Sequence, residues 1–317
     1  MLAVASSLIT TFQAIVLGVL QGVTELFPIS SLGHTVLFPH LFGWNNIVKW
    51  QSQPESPWLA FVVMLHVGSA IGLLIYFWRD WIEIIRGFFV SLARIVRLRR
   101  WAVETPTERL AWLIVLASIP VGILGLLLEH QARTATAKPE IAAIFLVVNG
   151  FVLLGAERLR RRAEVRALAR REGLNPEGAR DLETLEYREA AVIGTTQTAA
   201  LIAGISRDGV VMAGGLARGL DNYDAARFGF LLATPIILAA GIFKVSDLTG
   251  AIHLGTGFAS AQAAHHLRIE AVVAAVVAAV TAVLTVHFLT RYFRRGNLNP
   301  FGVYCLLFGL AMIIYNA

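Results

Sequence analysis

The stretch QGVTELFPISSLGH, residues 21–34, decides the fold, because it interrupts an apolar segment with residues that a membrane-spanning helix rarely contains. It brings together a glutamate, a proline, two adjacent serines and a histidine. A second apolar segment, residues 187–216, is interrupted in the same way by GISRDG, residues 204–209. Non-helical backbone at membrane depth persists only where protein buries it or where it lines a wet cavity. The two interruptions therefore predict the position of a site.

Outside these interruptions, the composition is typical of an integral membrane protein. The chain has 317 residues, of which 56% are hydrophobic and 15% are charged, whereas soluble domains contain about 25% charged residues. Six further apolar runs approach the length of about 20 residues that crosses a bilayer as a helix. These runs are residues 58–78, 110–128, 141–156, 228–243, 271–289 and 301–315.

The distribution of charge predicts the topology. The net charge is +6, and arginines cluster at residues 79–109, 158–188 and 291–295, next to the apolar runs. Positive residues accumulate on the cytoplasmic side of membrane spans, so the clusters indicate cytoplasmic connections, and no nucleic-acid partner is expected. With the apolar runs as complete spans, the interrupted segments must each enter and leave on one face. They are predicted as re-entrant helix hairpins over residues 10–42 and 187–217.

The two interrupted segments also align with each other without a gap. At an offset of 176 residues, the matched pairs are Gly18 with Gly194, Gln21 with Gln197, Ser30 with Ser206, and Gly33 with Gly209. Three spans follow each hairpin, and because three is an odd number, the second half enters from the opposite face. We predict an all-α polytopic membrane protein with an inverted-topology repeat, six transmembrane helices and two re-entrant hairpins. The first repeat is residues 1–158, a basic cytoplasmic connection is 159–186, and the second repeat is 187–317.

The first interruption carries most of the candidate chemistry. Gln21 and Glu25 are four residues apart and share one face of a helix. Pro28 ends that helix, and one of the two serines that follow caps the next helix, whose free N–H groups suit a phosphate. His34 lies one turn beyond Ser31, where we expect it to reach the serine hydroxyl.

The second interruption contributes a fixed cation. Arg207 has a planar donor fork that matches phosphate oxygens. Because charged side chains within a bilayer are costly, Arg207 and Glu25 need a ligand, a metal ion or each other as partners. For Ser30 and Ser206, a role as helix caps only is as good an interpretation as a role in binding phosphate. His66, on an apolar span, is interpreted as a core histidine with its hydrogen bonds satisfied.

The first motif resembles the undecaprenyl-diphosphatase family, the bacitracin-resistance type of integral-membrane pyrophosphatase. In that family, Glu/Gln-x-x-x-Glu runs into Pro-x-Ser-Ser-x-Gly-His, and residues 21–25 and 28–34 match this pattern in full. The segment FGFLLATP, residues 228–235, is also similar to a span of the family. The resemblance extends over nearly the whole chain.

The second family motif, Pro-Gly-x-Ser-Arg-Ser-Gly-x-Thr, is matched with three departures. Residues 203–211 read AGISRDGVV, so that Ala203 replaces the proline, Asp208 the second serine and Val211 the threonine. These departures remove two hydroxyls and add a carboxylate beside Arg207. We expect them to alter phosphate binding at this position.

The resemblance implies an enzyme of the bacterial inner membrane that hydrolyses undecaprenyl diphosphate to undecaprenyl phosphate and inorganic phosphate. This reaction recycles the lipid carrier of peptidoglycan synthesis, and the active site is expected to open toward the outer face. The implied catalytic residues are Glu25, Ser31, His34 and Arg207. The implied substrate-binding residues are Gln21, Ser30, Gly204, Ser206, Asp208 and Gly209. A divalent cation, expected to be Mg²⁺, is assigned to Glu25, the partners are the polyprenyl diphosphate and the bilayer, and assembly as a homodimer is left open.

Two mechanisms and two other functions remain open at this point. Ser31 attacks the terminal phosphorus with His34 as general base, or a metal-activated water attacks and Ser31 only orients a phosphate. Inverted repeats with broken helices are also typical of secondary transporters, which makes a polyprenyl-phosphate flippase an alternative. The departures at Asp208 and Val211 suggest a further alternative, a weakly active paralogue that binds prenyl phosphates.

Overall fold

The computed structural model describes residues 9–51, 58–136, 138–170, 180–253 and 261–316, and the regular structure of these parts is helical. One isolated bridge joins Arg180 to Leu220. The all-α prediction is therefore confirmed. The helices are α1 Thr11–Thr24, α2 Ser31–Leu41, α3 Asn45–Gln51, α4 Trp58–Tyr76, α5 Trp78–Leu98, α6 Pro106–Thr136, α7 Pro139–Arg170, α8 Tyr187–Thr196, α9 Arg207–Ala217, α10 Asn222–His253, α11 Ala261–Tyr292 and α12 Asn299–Asn316.

Several of these helices are long and apolar enough to cross a membrane. Five of them qualify singly, namely α6, α7, α10, α11 and α12. The helix α4 qualifies together with α5, and the pair is bent by 85° at the junction between them. Counting the bent pair as one span gives six spans, so the chain is a multi-pass membrane protein as predicted.

The helix α5 differs from the sequence prediction, which treats residues 79–109 as a short connection. Its apolar residues recur every three to four positions between arginines, so no uninterrupted apolar run marks it. One side packs on α6, where the indole N–H of Trp112 donates to the hydroxyl of Ser91 at 3.0 Å. The side chains on a second side are apolar and more than half exposed: Ile82, Ile85, Phe89 and Val96.

The bend at the α4–α5 junction turns α5 by 85° from the direction of α4. With α4 oriented as a span, a helix at 85° to it is expected to run nearly parallel to the membrane plane. The exposed Arg79, Arg86 and Arg97 lie beside the exposed apolar side chains. A helix with adjacent apolar and basic faces is typical of the membrane interface, so the exposed residues of α5 fit a helix that lies in the membrane plane.

The predicted basic connection, residues 159–186, starts as the continuation of α7, which ends at Arg170. Residues 171–179 of this connection lie outside the described part of the chain. From Arg180 onward the chain docks beside α8, because both terminal nitrogens of the Arg180 guanidinium donate to the carboxylate of Glu189, at 3.3 and 3.2 Å. A short 3-10 helix, Leu182–Thr184, leads into α8.

The helices that follow the two breaks match in length and in their N-caps. The helix after the first break runs from residue 31 to residue 41, and the helix after the second runs from 207 to 217, so both bounds keep the offset of 176. Ser30 and Ser206 are the N-caps, and their hydroxyls accept from the N–H groups of Gly33 and Gly209 at 3.2 and 3.1 Å. The division into two inverted halves stays a prediction, which this match supports.

The helices before the two breaks pack against opposite halves of the chain. A Cβ atom on Gly18 of α1 would lie 2.6 Å from the carbonyl oxygen of Ala274 in α11. A Cβ atom on the matched Gly194 of α8 would lie even closer to the carbonyl oxygen of Ala117 in α6. Because no side chain fits at either contact, both helices lie directly against the backbone of their partners. Each of the two helices therefore packs on the half of the chain to which it does not belong, and this arrangement brings the two breaks toward each other.

Candidate active site

The two breaks meet in the interior of the protein. A Cβ atom on Gly33 would lie 3.0 Å from the Cα atom of Gly204, so the backbones of the two breaks touch. Gly204 has a φ of 103° and Ser30 a φ of 72°, both in the left-handed region. The hydroxyl of Ser30 accepts from the N–H of Gly204 at 3.2 Å, as it does from that of Gly33. Ser30 therefore caps its own helix and ties the two breaks together.

Glu25 is the centre of the polar contacts at this meeting point. It follows the last residue of α1 and is only 7% exposed. Its Oε1 accepts from a terminal nitrogen of Arg207 at 2.8 Å. Its Oε2 accepts from the amide of Gln21 at 3.1 Å and from the hydroxyl of Ser31. Three of the four predicted catalytic residues, Glu25, Ser31 and Arg207, are thus joined by direct contacts.

Arg207 stands between two carboxylates. The nitrogen that bonds Glu25 also lies 3.3 Å from Oδ1 of Asp208. Among the described residues, the other terminal nitrogen of Arg207 has no hydrogen-bond partner, and neither oxygen of Asp208 has one. A buried polar group without a partner costs about 1–3 kcal/mol. These unpaired atoms are the groups that a ligand with both donors and acceptors, or with bridging water, would satisfy.

His34 does not make the contact expected from the sequence. Its Nδ1 lies 2.7 Å from the carbonyl oxygen of Ser30, and its Nε2 lies 2.8 Å from the hydroxyl of Tyr304. A carbonyl oxygen only accepts, so Nδ1 carries a proton, a tautomer assigned from the partners. The expectation that His34 reaches the Ser31 hydroxyl is therefore wrong. The bond to the carbonyl one turn back turns the ring toward α12, and Ser31 donates to Glu25 instead.

His66 contacts the buried glutamate of the candidate site, a contact that its interpretation as a core histidine did not include. Its Nδ1 lies 2.8 Å from the carbonyl oxygen of Val62, and its Nε2 lies 3.4 Å from Oε2 of Glu25. The signal in the sequence was an ionisable side chain within a membrane span, which by default indicates function. Two further residues at the site had no such signal: Tyr304 beside His34, and Asn149, which contacts both breaks.

The remaining predicted site residues lie in the breaks themselves. Gly204 occupies the position that requires a left-handed backbone, and Ser206 and Gly209 form the cap of α9. Asp208 is 1% exposed in the first turn of that helix. No group of three or more His, Cys, Asp or Glu side chains is arranged to hold a metal ion in the part of the chain that the structure describes.

Fold and site together define a class: multi-pass helical membrane proteins in which two broken helices join a buried glutamate, a serine and an arginine. The chain belongs to the family described as bacitracin resistance protein BacA, whose model matches residues 14–311. The resemblance seen in the two motifs is therefore confirmed, and it extends over almost the full length.

Individual relatives match over nearly their whole length. The chain is 46% identical to undecaprenyl-diphosphatase 2 of Frankia alni, over 95% of this chain and 96% of the relative. It is 46% identical to the undecaprenyl-diphosphatase of Mycolicibacterium paratuberculosis, over 96% and 97% of the two chains. It is 38% identical to undecaprenyl-diphosphatase 2 of Chromobacterium violaceum, over 96% and 98%.

Proposed function

We propose that this protein hydrolyses undecaprenyl diphosphate to undecaprenyl phosphate and inorganic phosphate, and so recycles the lipid carrier of peptidoglycan synthesis. The observation that carries the proposal is the contact of Ser31 with Glu25, which in turn bonds Arg207. A hydroxyl beside a carboxylate and a guanidinium is a nucleophile beside a base and a phosphate-binding group. The full-length similarity to relatives named undecaprenyl-diphosphatase supports the same reaction.

The contacts favour Glu25 as the base. Ser31 donates its hydroxyl hydrogen to Glu25, so the carboxylate accepts that proton as the serine oxygen attacks the terminal phosphorus. The bond from this phosphorus to the bridging oxygen breaks, and undecaprenyl phosphate leaves. Water then cleaves the serine phosphate and releases inorganic phosphate. The alternative in which water attacks directly uses the same carboxylate as base, with Ser31 orienting the phosphate.

Arg207 is proposed to bind the diphosphate. Phosphoryl transfer depends mainly on positioning and on neutralising charge. The unpartnered terminal nitrogen of Arg207 is a buried donor suited to a phosphate oxygen. His66 faces the same carboxylate oxygen as Ser31 and is proposed to orient Glu25. His34, held by Ser30 and Tyr304, is proposed to support the position of the break and not to act as base.

A divalent cation fits the oxygens around Glu25. Mg²⁺ binds proteins through one or two carboxylates, keeps water molecules and takes substrate phosphates as further ligands. Glu25 supplies a carboxylate, and the buried Oε1 of Gln21, one turn away, has no hydrogen-bond partner among the described residues. We therefore assign Glu25 and Gln21 as the residues that would hold Mg²⁺. The bound cation would supply neutralisation of charge on the diphosphate.

The site is proposed to open toward the outer face of the bacterial inner membrane. With the arginine clusters in the cytoplasm, the first span runs inward from the outer side. The hairpin before it, which carries Glu25 and Ser31, then enters from that side. The helix α5, whose Arg79, Arg86 and Arg97 are exposed, is proposed to lie on the opposite, cytoplasmic side.

Phosphate release from undecaprenyl diphosphate by the purified protein, measured with Mg²⁺ and with a chelator, tests the proposal. We expect release in Mg²⁺ and a large loss in the chelator. Absence of release under both conditions would overturn the hydrolase proposal. Movement of fluorescent prenyl phosphate across vesicles in that case would point to the flippase.

A further inference from the structure

Asn149 connects the two breaks from a helix that contributes nothing else to the chemistry. It lies within α7 and is completely buried. Its side-chain NH₂ donates to the carbonyl oxygen of Pro28 at 2.9 Å, and its side-chain oxygen accepts from the N–H of Ser206 at 3.0 Å. A single planar amide therefore bonds one backbone group from each break.

The two backbone groups depend on this amide because they lie outside helices. Pro28 is in the turn between α1 and α2, and Ser206 precedes the first residue of α9. Buried backbone N–H and C=O groups are almost always hydrogen-bonded, and each costs about 1–3 kcal/mol when it is not. Because the donor and the acceptor of Asn149 belong to one rigid group, the spacing between the breaks is fixed.

The bonded groups are direct neighbours of the reactive side chains. Pro28 lies three residues from both Glu25 and Ser31, and Ser206 is adjacent to Arg207. The Glu25–Arg207 contact of 2.8 Å crosses the same junction. We propose that Asn149 is a positioning residue that holds the base and serine of one break in register with the arginine of the other. This inference rests on the proposed hydrolase function.

The same helix bounds the junction along its length. A Cβ atom on Gly204 would collide with the carbonyl oxygen of Ala142, and a Cβ atom on Gly209 would lie 3.3 Å from the side-chain oxygen of Asn149. The second break is thus packed directly against α7, and the bond from Asn149 to Pro28 joins the first break to the same helix. The Asn149 side chain also donates to the sulfur of Cys305 at 3.4 Å. That third contact involves neither break, so a substitution of Cys305 is a matched control for the substitutions of Asn149.

The test uses Asn149→Leu, which removes both bonds with little change in size, and Asn149→Asp, which retains only the acceptor for Ser206. Misplacement of reacting groups by about 1 Å costs on the order of 100-fold in rate. We expect kcat of Asn149→Leu to fall about 100-fold with KM changed less than about threefold, and Asn149→Asp to fall between this variant and the wild type. Cys305→Ser should keep wild-type kcat.

Two measurements separate positioning from general destabilisation. Leu113→Ala, a buried truncation on α6, should lower the melting temperature but leave kcat of the folded protein unchanged. Spin labels at Leu41, the last residue of α2, and at Arg218, directly after α9, report by the distance between them the relative position of the two helices that follow the breaks, in a Cys305→Ser background. We expect Asn149→Leu to shift or broaden this distance and Leu113→Ala to preserve it.

The outcomes distinguish the two proposals. Wild-type kcat together with an unchanged label distance in folded Asn149→Leu would overturn the positioning role. A kcat loss in Leu113→Ala equal to that in Asn149→Leu, with both label distances unchanged, would also overturn it. If the wild-type protein releases no phosphate, the hydrolase proposal fails, and the label distance alone still decides whether Asn149 joins the breaks.

Discussion

Replacing Glu25 with glutamine separates the structural from the catalytic contribution of the buried ion pair. The change preserves size but removes the charge that faces Arg207 at 2.8 Å. Breaking a buried pair by neutralising one partner costs about 3–5 kcal/mol, because the other charge stays buried. Asp208 lies 3.3 Å from the same guanidinium nitrogen and provides a second anion. We therefore expect a loss of about 3 kcal/mol, the lower end of that range.

The loss in activity should exceed what the loss in stability explains. A positioned general base contributes about 10²–10⁴-fold to a rate, so kcat of Glu25→Gln should fall by at least about 100-fold in folded protein. The assays are phosphate release, corrected for folded protein, and unfolding by denaturant. Glu157→Gln is the matched control, because Glu157 is a buried glutamate paired with Arg160 at 2.8 Å, far along α7. It should lose stability and retain kcat.

A double variant completes the test. Glu25→Gln combined with Arg207→Met, made in an Asp208→Asn background so that no buried carboxylate loses its cation, removes both charges, and replacing a buried pair by neutral residues is often neutral for stability. Stability should recover toward the wild type while activity stays lost. The reasoning is refuted if Glu25→Gln keeps near-normal kcat, or if the two substitutions destabilise the protein additively, because then the pair is not coupled.

Three other predictions concern the surroundings of the site. Asp208→Asn removes an anion that competes with phosphate for the guanidinium and should lower KM by about three- to tenfold; an unchanged or higher KM would show that the carboxylate does not compete. His66→Leu loses a contact to a charged oxygen that is worth about 1.5–3 kcal/mol, so kcat should fall about 10- to 100-fold, and His66→Gln should lose less. Equal activity of the wild type, His66→Leu and His66→Gln would exclude His66 from the reaction. Spin labels placed singly at positions 89 and 86 of α5, in a Cys305→Ser background, test the in-plane position of this helix. A label in place of Phe89 should be accessible to oxygen dissolved in the bilayer, and a label in place of Arg86 to a water-soluble relaxation agent. Access of the water-soluble agent to both labels would contradict an in-plane helix.

The breaks were predictable because they depend on local sequence. Pro28 cannot continue a helix, and the serine that precedes each second helix supplies its cap. The 176-residue offset then located the second break from the first, and Ser30 and Ser206 are indeed the caps. The need of Glu25 and Arg207 for partners followed from the cost of leaving either charge alone in a membrane. One of the open alternatives, direct pairing, is what the structure contains.

The contacts of individual side chains were not predictable in the same way. His34 turns away from Ser31 because its ring stacks with Tyr304 at 5.7 Å, and this tyrosine comes from the last helix of the chain. The roles of Asn149 and His66 depend on which face of a long apolar helix meets the breaks, and neither helix has a polar stripe that marks this face. The helix α5 was not predicted for a related reason, because its apolar residues form a surface stripe and not a continuous run.

Phosphate release by Ser31→Ala, compared with Ser91→Ala, tests the central claim most directly. Both serines are buried and hydrogen-bonded, but Ser31 contacts Glu25 at the meeting point of the breaks, whereas Ser91 bonds Trp112 between α5 and α6. The account predicts that Ser31→Ala nearly abolishes release of phosphate from undecaprenyl diphosphate and that Ser91→Ala retains it. Near-normal turnover by Ser31→Ala would contradict the assignment of this junction as the active site.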